Sequence, residues 1–382
     1  MRVFLSCGET SGDLYGGGLL AEMRRIHPDL EAFGLGGDRM EAEGARLLAH
    51  SHDLAVVGLF AVLTHLRRFR SVLRNAIDEA TRIRPDVAVL VDYPDFNLRV
   101  ARALKQRGIP VVYYVSPQIW AWRRRRIHAI RRDVRRMLTI FPFEEALYRA
   151  AGVPVTFVGH PLVDLVHPAK EPRAFAVSSG LDPDLPIVTL LPGSRRGEIS
   201  HNLPTIAAAV HRLTRRRPEL QFLLAVAPGL DPRELAKPFP AQVRTVTGAT
   251  HAALGVARAA IVASGTATVE AALLGTPMVV VYRVEALSYA LGRHLVKVPH
   301  VAMANLIAGR RLVTELIQGQ FTADAVEREV LALVDDEDRR RAIRAGLGEV
   351  RERLGVPGAP ARAAAAVLAE VESARAASSG RS

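Results

Sequence analysis

The chain has 382 residues, more than one core usually organises, so two domains are expected. With 49% hydrophobic and 24% charged residues it fits a soluble globular protein, and no apolar run reaches the roughly 18 residues that a membrane span needs. The net charge of +12 suggests an anionic partner: nucleic acid, a phosphate-bearing substrate or an anionic membrane. Only Lys105, Lys170, Lys237 and Lys297 are lysines, however, and an arginine-heavy, alanine-rich balance also follows from genomic base composition. Cys7 stands alone, which excludes an internal disulfide framework and a multi-cysteine metal site and suits a reducing cytosol.

The first six residues read as a strand running into a glycine turn rather than as a signal peptide. Short runs rich in Val, Ile and Leu then alternate with helical patterns, the signature of parallel α/β architecture. Strands are predicted at residues 2–6, 86–91, 110–115, 137–141 and 156–158, then at 187–191, 221–226, 243–246, 260–263 and 277–282. Helices are predicted at 13–25, 203–217 and 266–274, among others. Residues 165–186, with Pro168, Pro172, Gly180, Pro183 and Pro186, lack periodicity and read as a linker. The expected division is 1–165, 186–345 and an alanine-rich helical segment at 346–382. The fold class is α/β, two Rossmann-like doubly wound domains facing a cleft at the carboxyl ends of their strands, where such folds bind ligands.

Several segments sit at those strand ends. Gly8-Glu9-Thr10-Ser11-Gly12-Asp13 follows the first strand and reads either as an anion- or sugar-binding turn or as a plain βα turn. It matches neither a dinucleotide fingerprint nor a Walker loop. Asp92-Tyr93-Pro94-Asp95-Phe96-Asn97 ends a buried strand, where a carboxylate could take a proton from an attacking hydroxyl; Asp95 is preferred over Asp92, and the alternative is a helix cap. Ser116-Pro117-Gln118-Ile119-Trp120-Ala121-Trp122 carries both tryptophans and leads into four arginines at 123–126. It suits sugar stacking or a membrane interface, or is an aromatic corner before a solvated helix.

In the second half, Pro192-Gly193-Ser194-Arg195 forms an anion cradle in which Arg195 can grip a phosphate with two parallel bonds. Ser264-Gly265-Thr266 turns a strand into a helix bearing Glu270, and its amides and hydroxyls suit a diphosphate. A serine nucleophile is disfavoured because the G-x-S-x-G elbow is absent. Leu59, Val62, Leu63, Leu66, Phe69 and Leu73 recur at helical spacing beside Arg67, Arg68, Arg70 and Arg74. That stripe reads as a membrane-surface helix or, more commonly, as a core-facing one.

Together these motifs resemble the lipid-A-disaccharide synthase family, inverting glycosyltransferases of the two-domain glycosyltransferase B fold. The matching segments lie at residues 8–13, 57–59, 92–97, 114–122, 158–161, 190–195, 263–270 and 305–310. The resemblance implies transfer of 2,3-diacylglucosamine from UDP to 2,3-diacylglucosamine 1-phosphate, releasing UDP. It implies Asp95 as the base, with Arg195, Ser264, Gly265, Thr266, Glu270, Asn305 and Glu315 serving the UDP. Ser11, Gly12, Asp13, Asn97, Ser116, Trp120 and His160 become the sugar and acceptor candidates. It also implies no metal and no cofactor, peripheral attachment to the anionic inner face of the inner membrane from the cytoplasm, and a C-terminal helix returning to the first domain. A homodimer is among the assemblies it allows. Cys7, Ala61 and Ala304 depart from the alanine, glutamate and proline usual in the family. The alternatives are another UDP-N-acetylglucosamine-dependent transferase or epimerase of the same fold, a membrane-surface scaffold, and a basic nucleic-acid-binding protein. The last is disfavoured because no recognised module is present, so no nucleic-acid partner is expected.

Overall fold

The computed structural model of the chain describes residues 1–51, 62–285 and 298–379. It forms two compact units, Met1–Asp164 with Leu354–Ser382, and Leu165–Arg353.

The first unit runs β1 (Arg2–Cys7), α1 (Thr10–Ile26), β2 (Glu31–Gly36), α2 (Asp38–Ala42), β3 (Arg46–His50), α3 (Val62–Ile83), β4 (Val87–Val91), α4 (Pro94–Gln106), β5 (Val111–Tyr114), α5 (Arg126–Asp133), β6 (Arg136–Thr139), α6 (Pro142–Ala150) and β7 (Val155–Phe157), with α7 (Leu162–Leu165) at its edge. The strands pair in parallel in the order β3-β2-β1-β4-β5-β6-β7. The central strand β4, Val-Ala-Val-Leu-Val, is buried throughout, as expected of a parallel sheet covered on both faces. On one face Phe4, Leu90, Tyr113 and Met137 pack with Phe96, Val100 and Leu104 of α4 and Ile130 of α5. Phe69, Val72 and Leu73 of α3 pack against the same cluster, so Phe69 and Leu73 of the Leu59–Leu73 stripe face the core. Leu59 and the side chains of Val62, Leu63 and Leu66 lie outside the described residues, as do Ala61 and residues 57–59.

The second unit contains α8 (Pro172–Ser178), β8 (Ile187–Leu191), α9 (Arg196–Arg216), β9 (Gln221–Val226), α10 (Pro232–Ala236), β10 (Arg244–Thr247), α11 (Thr250–Gly255), β11 (Ala259–Ala263), α12 (Ala267–Leu273), β12 (Met278–Tyr282), α13 (Met303–Ala308), β13 (Thr314–Ile317), α14 (Ala323–Asp335) and α15 (Glu337–Arg353). Its parallel order is β10-β9-β8-β11-β12-β13. The stretch expected as a linker carries α8, with Ala176 buried, so it is not structureless.

The final helix, α16 (Ala359–Ser379), belongs to the first unit and packs on α1 and on β4, β5 and β6. Its small side chains allow a close approach: Ala363, Ala364 and Val367 are fully buried. Glu370 ties it to the sheet by accepting from Arg136 at 2.6 Å and from Arg135. No helix among the described residues is long and apolar enough to cross a membrane.

β2, β3 and β13 are additional to the strands read from the sequence. β2 is concealed by Gly34 and Gly36. Gly34 sits at φ +147°, and a methyl there would lie 1.8 Å from the Leu5 carbonyl oxygen of β1, so close strand approach demands the residue that breaks the β pattern. β3 and β13 are short edge strands, mostly half-exposed, with no apolar run longer than three residues.

Candidate functional site

Each sheet reverses its strand order once among its described strands, between β1 and β4 in the first unit and between β8 and β11 in the second. At such a point the connections leave in opposite directions and open a crevice at the carboxyl ends. The turns after β1 and β4 carry residues 8–13 and 92–97, and those after β8 and β11 carry 192–195 and 264–266. Every one of these motifs therefore lies at a switch point.

In the first unit the turn after β4 is held in an unusual conformation. Asp92 and Tyr93 lie at φ 47° and 48°, Val115 after β5 at 63° and Arg123 at 52°. These are four of the six described non-glycine residues with positive φ, a conformation costing about 1–2 kcal/mol each, and they all follow the carboxyl ends of β4 and β5. Asn97 holds the turn. Fully buried, its Nδ2 donates to the carbonyls of Ser6 (3.2 Å), Val91 (3.1 Å) and Asp92 (2.8 Å), while its Oδ1 accepts from Ser6 Oγ at 2.7 Å. Tyr113 adds a 2.5 Å bond to the Asp92 carbonyl. Both amide hydrogens of Asn97 are thus engaged and the side chain is fully buried, so it acts by fixing the strand ends.

Asp13 is similarly occupied. Its buried carboxylate accepts from the amides of Gly37 (2.7 Å), Arg39 (3.0 Å) and Met40 (3.2 Å), which satisfies the start of α2. Ser11 remains half-exposed in the first turn of α1. Gly12 has room for a methyl, whose nearest neighbour would be Cys7 Cβ at 3.6 Å, whereas one on Gly8 would fall 2.2 Å from the Tyr93 ring. Packing therefore requires Gly8, not Gly12.

Asp95 occupies the first turn of α4 with 63% of its side chain exposed. Its Oδ1 accepts from Arg123 Nη1 at 2.8 Å and from Arg126 Nη2. Both guanidiniums lie over the Trp122 ring, 4.4 and 5.4 Å from its centroid.

A residue absent from the sequence reading anchors this loop. Glu144, in the first turn of α6 and 1% exposed, accepts from Trp120 Nε1 at 3.1 Å and from the Phe141 amide at 3.3 Å, and is hydrogen-bonded to Ser116. Ser116 Oγ in turn lies 2.8 Å from the Tyr148 hydroxyl. Burial pushes the Glu144 carboxyl up to about 8, so it is mostly protonated at neutral pH. A carboxyl neutralised this way beside a strand-end crevice is a recurrent mark of functional sites. Its signal in the sequence was the spacing Phe141-Pro142-Phe143-Glu144, a helix start with an acid in the third position.

His160 is buried between the rings of Tyr15 and Phe141, at 6.0 and 5.2 Å. Burial drives it down to about 3, so it is neutral. Its Nδ1 accepts from the Leu162 amide at 3.1 Å, which places the proton on Nε2. The geometry gives it a packing role.

In the second unit, the turn after β11 exposes Gly265 and Thr266, and the amides of Gly265, Thr266 and Ala267 meet no acceptor among the described residues. Gly265 lies at φ +151°, open to its surroundings. α12 has only seven residues, so these amides and the Thr266 hydroxyl, more than a helix dipole, make the turn attractive to anions. Arg195 is exposed at the N-cap of α9, in the turn that follows β8, the strand next to β11. Glu270 is half-buried, its Oε1 3.9 Å from His251 Nε2.

Asn305 and Glu315 are joined to each other and to the backbone. Asn305 Nδ2 donates to Val313 O (2.9 Å) and Glu315 Oε1 (2.8 Å), and its Oδ1 accepts from the Leu312 and Val313 amides at 2.8 and 2.9 Å. Glu315 also accepts from the amides of Val301 (3.1 Å) and Ala302 (2.9 Å). Asn305 is saturated, so it shapes the segment from 301 to 315 without reaching a ligand. Ser264 Oγ donates to the Val301 carbonyl at 3.3 Å, which links that segment to the turn. Ala304 is fully buried in the first turn of α13, and its amide meets no acceptor among the described residues. Proline there would cost no hydrogen bond, and alanine leaves Asn305 equally well held.

The sequence profile of the lipid-A-disaccharide synthetase family matches residues 3–366. The chain belongs to this family. The lipid-A-disaccharide synthase of Koribacter versatilis (strain Ellin345) is 51% identical over 360 residues, 93% of either chain. That of Syntrophus aciditrophicus (strain SB) is 45% identical over 370 residues, 96% of this chain and 97% of its own. As a family member the chain is a glycosyltransferase of lipid A biosynthesis. Among solved structures, the calicheamicin glycosyltransferase CalG4 aligns with a TM-score of 0.62 at 18% identity, over 96% of this chain and 97% of its own. A UDP-GlcNAc 2-epimerase from Neisseria meningitidis aligns at 0.61 and 10% identity, over 98% and 100%. These two likenesses establish the fold, the Rossmann-like α/β architecture of B-type glycosyltransferases and related epimerases.

Proposed function

We propose that the chain transfers 2,3-diacylglucosamine from its UDP form to 2,3-diacylglucosamine 1-phosphate, giving the lipid A disaccharide 1-phosphate and UDP. The observation that carries this reading is the family match across both units, with a strand-end acid at one switch point and an anion-binding turn at the other. Asp95 takes the proton from the acceptor hydroxyl as that oxygen attacks the donor's anomeric carbon. The bond from that carbon to the UDP oxygen breaks, UDP leaves with the electron pair, and attack from the opposite face inverts the centre. The amides of 265–267, the Thr266 hydroxyl and Arg195 stabilise the charge gathering on the leaving diphosphate, while Ser264 ties the turn to Val301. Glu270 completes the rim of that turn, while Asn305 and Glu315 keep the neighbouring segment in place.

On the acceptor side, Ser11 and Trp120 are the sugar-facing groups. Asp13, Asn97, Ser116 and His160 position the frame around them. The acylated substrates reside in a membrane leaflet, so the enzyme works from the cytoplasm, peripherally on the inner face of the inner membrane, where a net charge of +12 favours an anionic surface.

Supplying both acylated sugars in detergent micelles is expected to yield disaccharide and UDP in equal amounts. Folded protein giving no disaccharide would refute the reading. Equal turnover of unacylated UDP-N-acetylglucosamine would favour another transferase or epimerase of this fold. Asp95→Asn is expected to lower turnover by roughly 10²–10⁴-fold with UDP affinity intact.

A further inference from the structure

The loop after β5 places more positive charge around Asp95 than orientation of one carboxylate requires. Arg125 is the N-cap of α5 and Arg126 its first residue, and the first turn contains no acid. Cations at this end of a helix face its positive pole, so the cluster needs an anion held against it, a place that Asp95 fills at rest. Arg123 is held in the left-handed region at φ 52°, a further local cost. Arg124 and Arg125 are exposed beside it.

The guanidiniums are also arranged as a receptor would be. Arg126 is only 13% exposed, yet its charged end opens onto a carboxylate that is 63% exposed. Arg123 and Arg126 both pack on the Trp122 ring, and both converge on the same oxygen, Asp95 Oδ1. A phosphate monoester offers three oxygens and up to two negative charges to the same pair of forks, and so competes well with a single exposed carboxylate.

We propose that Arg123 and Arg126 are the seat of the acceptor's phosphate monoester, which displaces Asp95 from them and frees its carboxylate for the acceptor hydroxyl. This rests on the proposed acceptor being a sugar 1-phosphate. Asp95 is then held in reserve until the correct acceptor is bound, because one sugar supplies both the phosphate that releases it and the hydroxyl it serves. An acceptor without phosphate lacks the means to free the base.

The test compares 2,3-diacylglucosamine with and without its 1-phosphate on the full chain in micelles. KM is read where turnover occurs, and otherwise an inhibition constant against the phosphorylated acceptor. Arg126→Lys keeps the charge and loses the fork; Arg123→Asn keeps a residue that tolerates the left-handed turn. Each is expected to weaken binding of the phosphorylated acceptor about 10–100-fold, leaving the affinities for the donor and for the dephosphorylated acceptor unchanged. Asp95→Asn, though inactive, is expected to bind the phosphorylated acceptor about 2–10-fold more tightly by calorimetry, because the arginines lose their resting partner. Equal losses on both acceptors, or unchanged or weaker binding by Asp95→Asn, overturn the proposal. Sedimentation with phosphatidylglycerol vesicles separates the two phosphate sources. Unchanged vesicle binding by the arginine variants is expected, and a loss parallel to equal effects on both acceptors assigns the pair to lipid headgroups instead. Failure of the wild type to make disaccharide would refute the function proposed above, whereas normal synthesis with indifferent arginine variants would refute only the phosphate seat.

Discussion

Replacing Glu144 with glutamine removes a titration while keeping the shape and much of the hydrogen bonding of a neutral carboxyl. In the wild type, burial lifts this group from 4.5 to about 8. Between those values the folded unit keeps a proton that the unfolded chain has released. The native state therefore binds more protons there, and stability falls as pH rises. The contribution of the protonated acid is complete below about 4.5 and gone above about 8, a loss on the order of 4–5 kcal/mol across the window. Carboxylates held low by arginines, such as Glu79 at about 2, have the opposite slope, stabilising as pH rises through the acid range, and they cancel when variant and wild type are compared. Glutamine can still accept from Trp120 and donate to Ser116, and loses chiefly the long 3.3 Å contact from the Phe141 amide. Glu144→Gln is thus expected to be about 1 kcal/mol less stable than wild type near pH 5 and several kcal/mol more stable near pH 9. Both tryptophans of the chain, Trp120 and Trp122, sit in the loop that Glu144 anchors, so denaturant titrations followed by tryptophan fluorescence report on this unit. Parallel stability curves for the two proteins from pH 5 to 9 would refute the buried neutral acid.

Asn97→Ala removes the acceptor of the Ser6 hydroxyl and a donor from three strand-end carbonyls, of which Asp92 keeps Tyr113, and is expected to cost about 3–5 kcal/mol, with turnover falling because the Asp92–Tyr93 turn relaxes; thermal melts and rate measurements on one preparation check both. Asn305→Ala is expected to lower stability and UDP affinity together, and a loss of affinity at full stability would place the side chain on the nucleotide instead. Gly8→Ala should abolish turnover by displacing the Tyr93 ring, while Gly12→Ala stays near wild type; the reverse order would overturn the packing argument.

The switch-point turns were legible because they combine strand-ending apolar runs with glycine, acids and hydroxyls within a few residues. What local pattern could not reveal is where each side chain spends its hydrogen bonds. Asp13 serves amides 24 to 27 residues further on, and Asn305 is satisfied by residues 7 to 10 positions away, partners that exist only once the units are folded. Glu144 was hidden for a related reason, since an acid in a helix's first turn ordinarily faces solvent, and only the packing of Trp120, Ser116 and Phe141 buries it. β2 escaped notice because the glycine that permits its close pairing also erases its β signature. Phe69 and Leu73 belong to a stripe whose periodicity is the same whether it covers a core or a lipid surface, and the fold assigns those two to the core.

The most direct test of the central claim is a structure of the protein with UDP. The diphosphate is expected against the amides of Gly265, Thr266 and Ala267, with Arg195 reaching it from the turn after β8. A diphosphate seated instead on the turn after β1, at Thr10, Ser11 and Gly12, would contradict the assignment of the leaving group to the second unit.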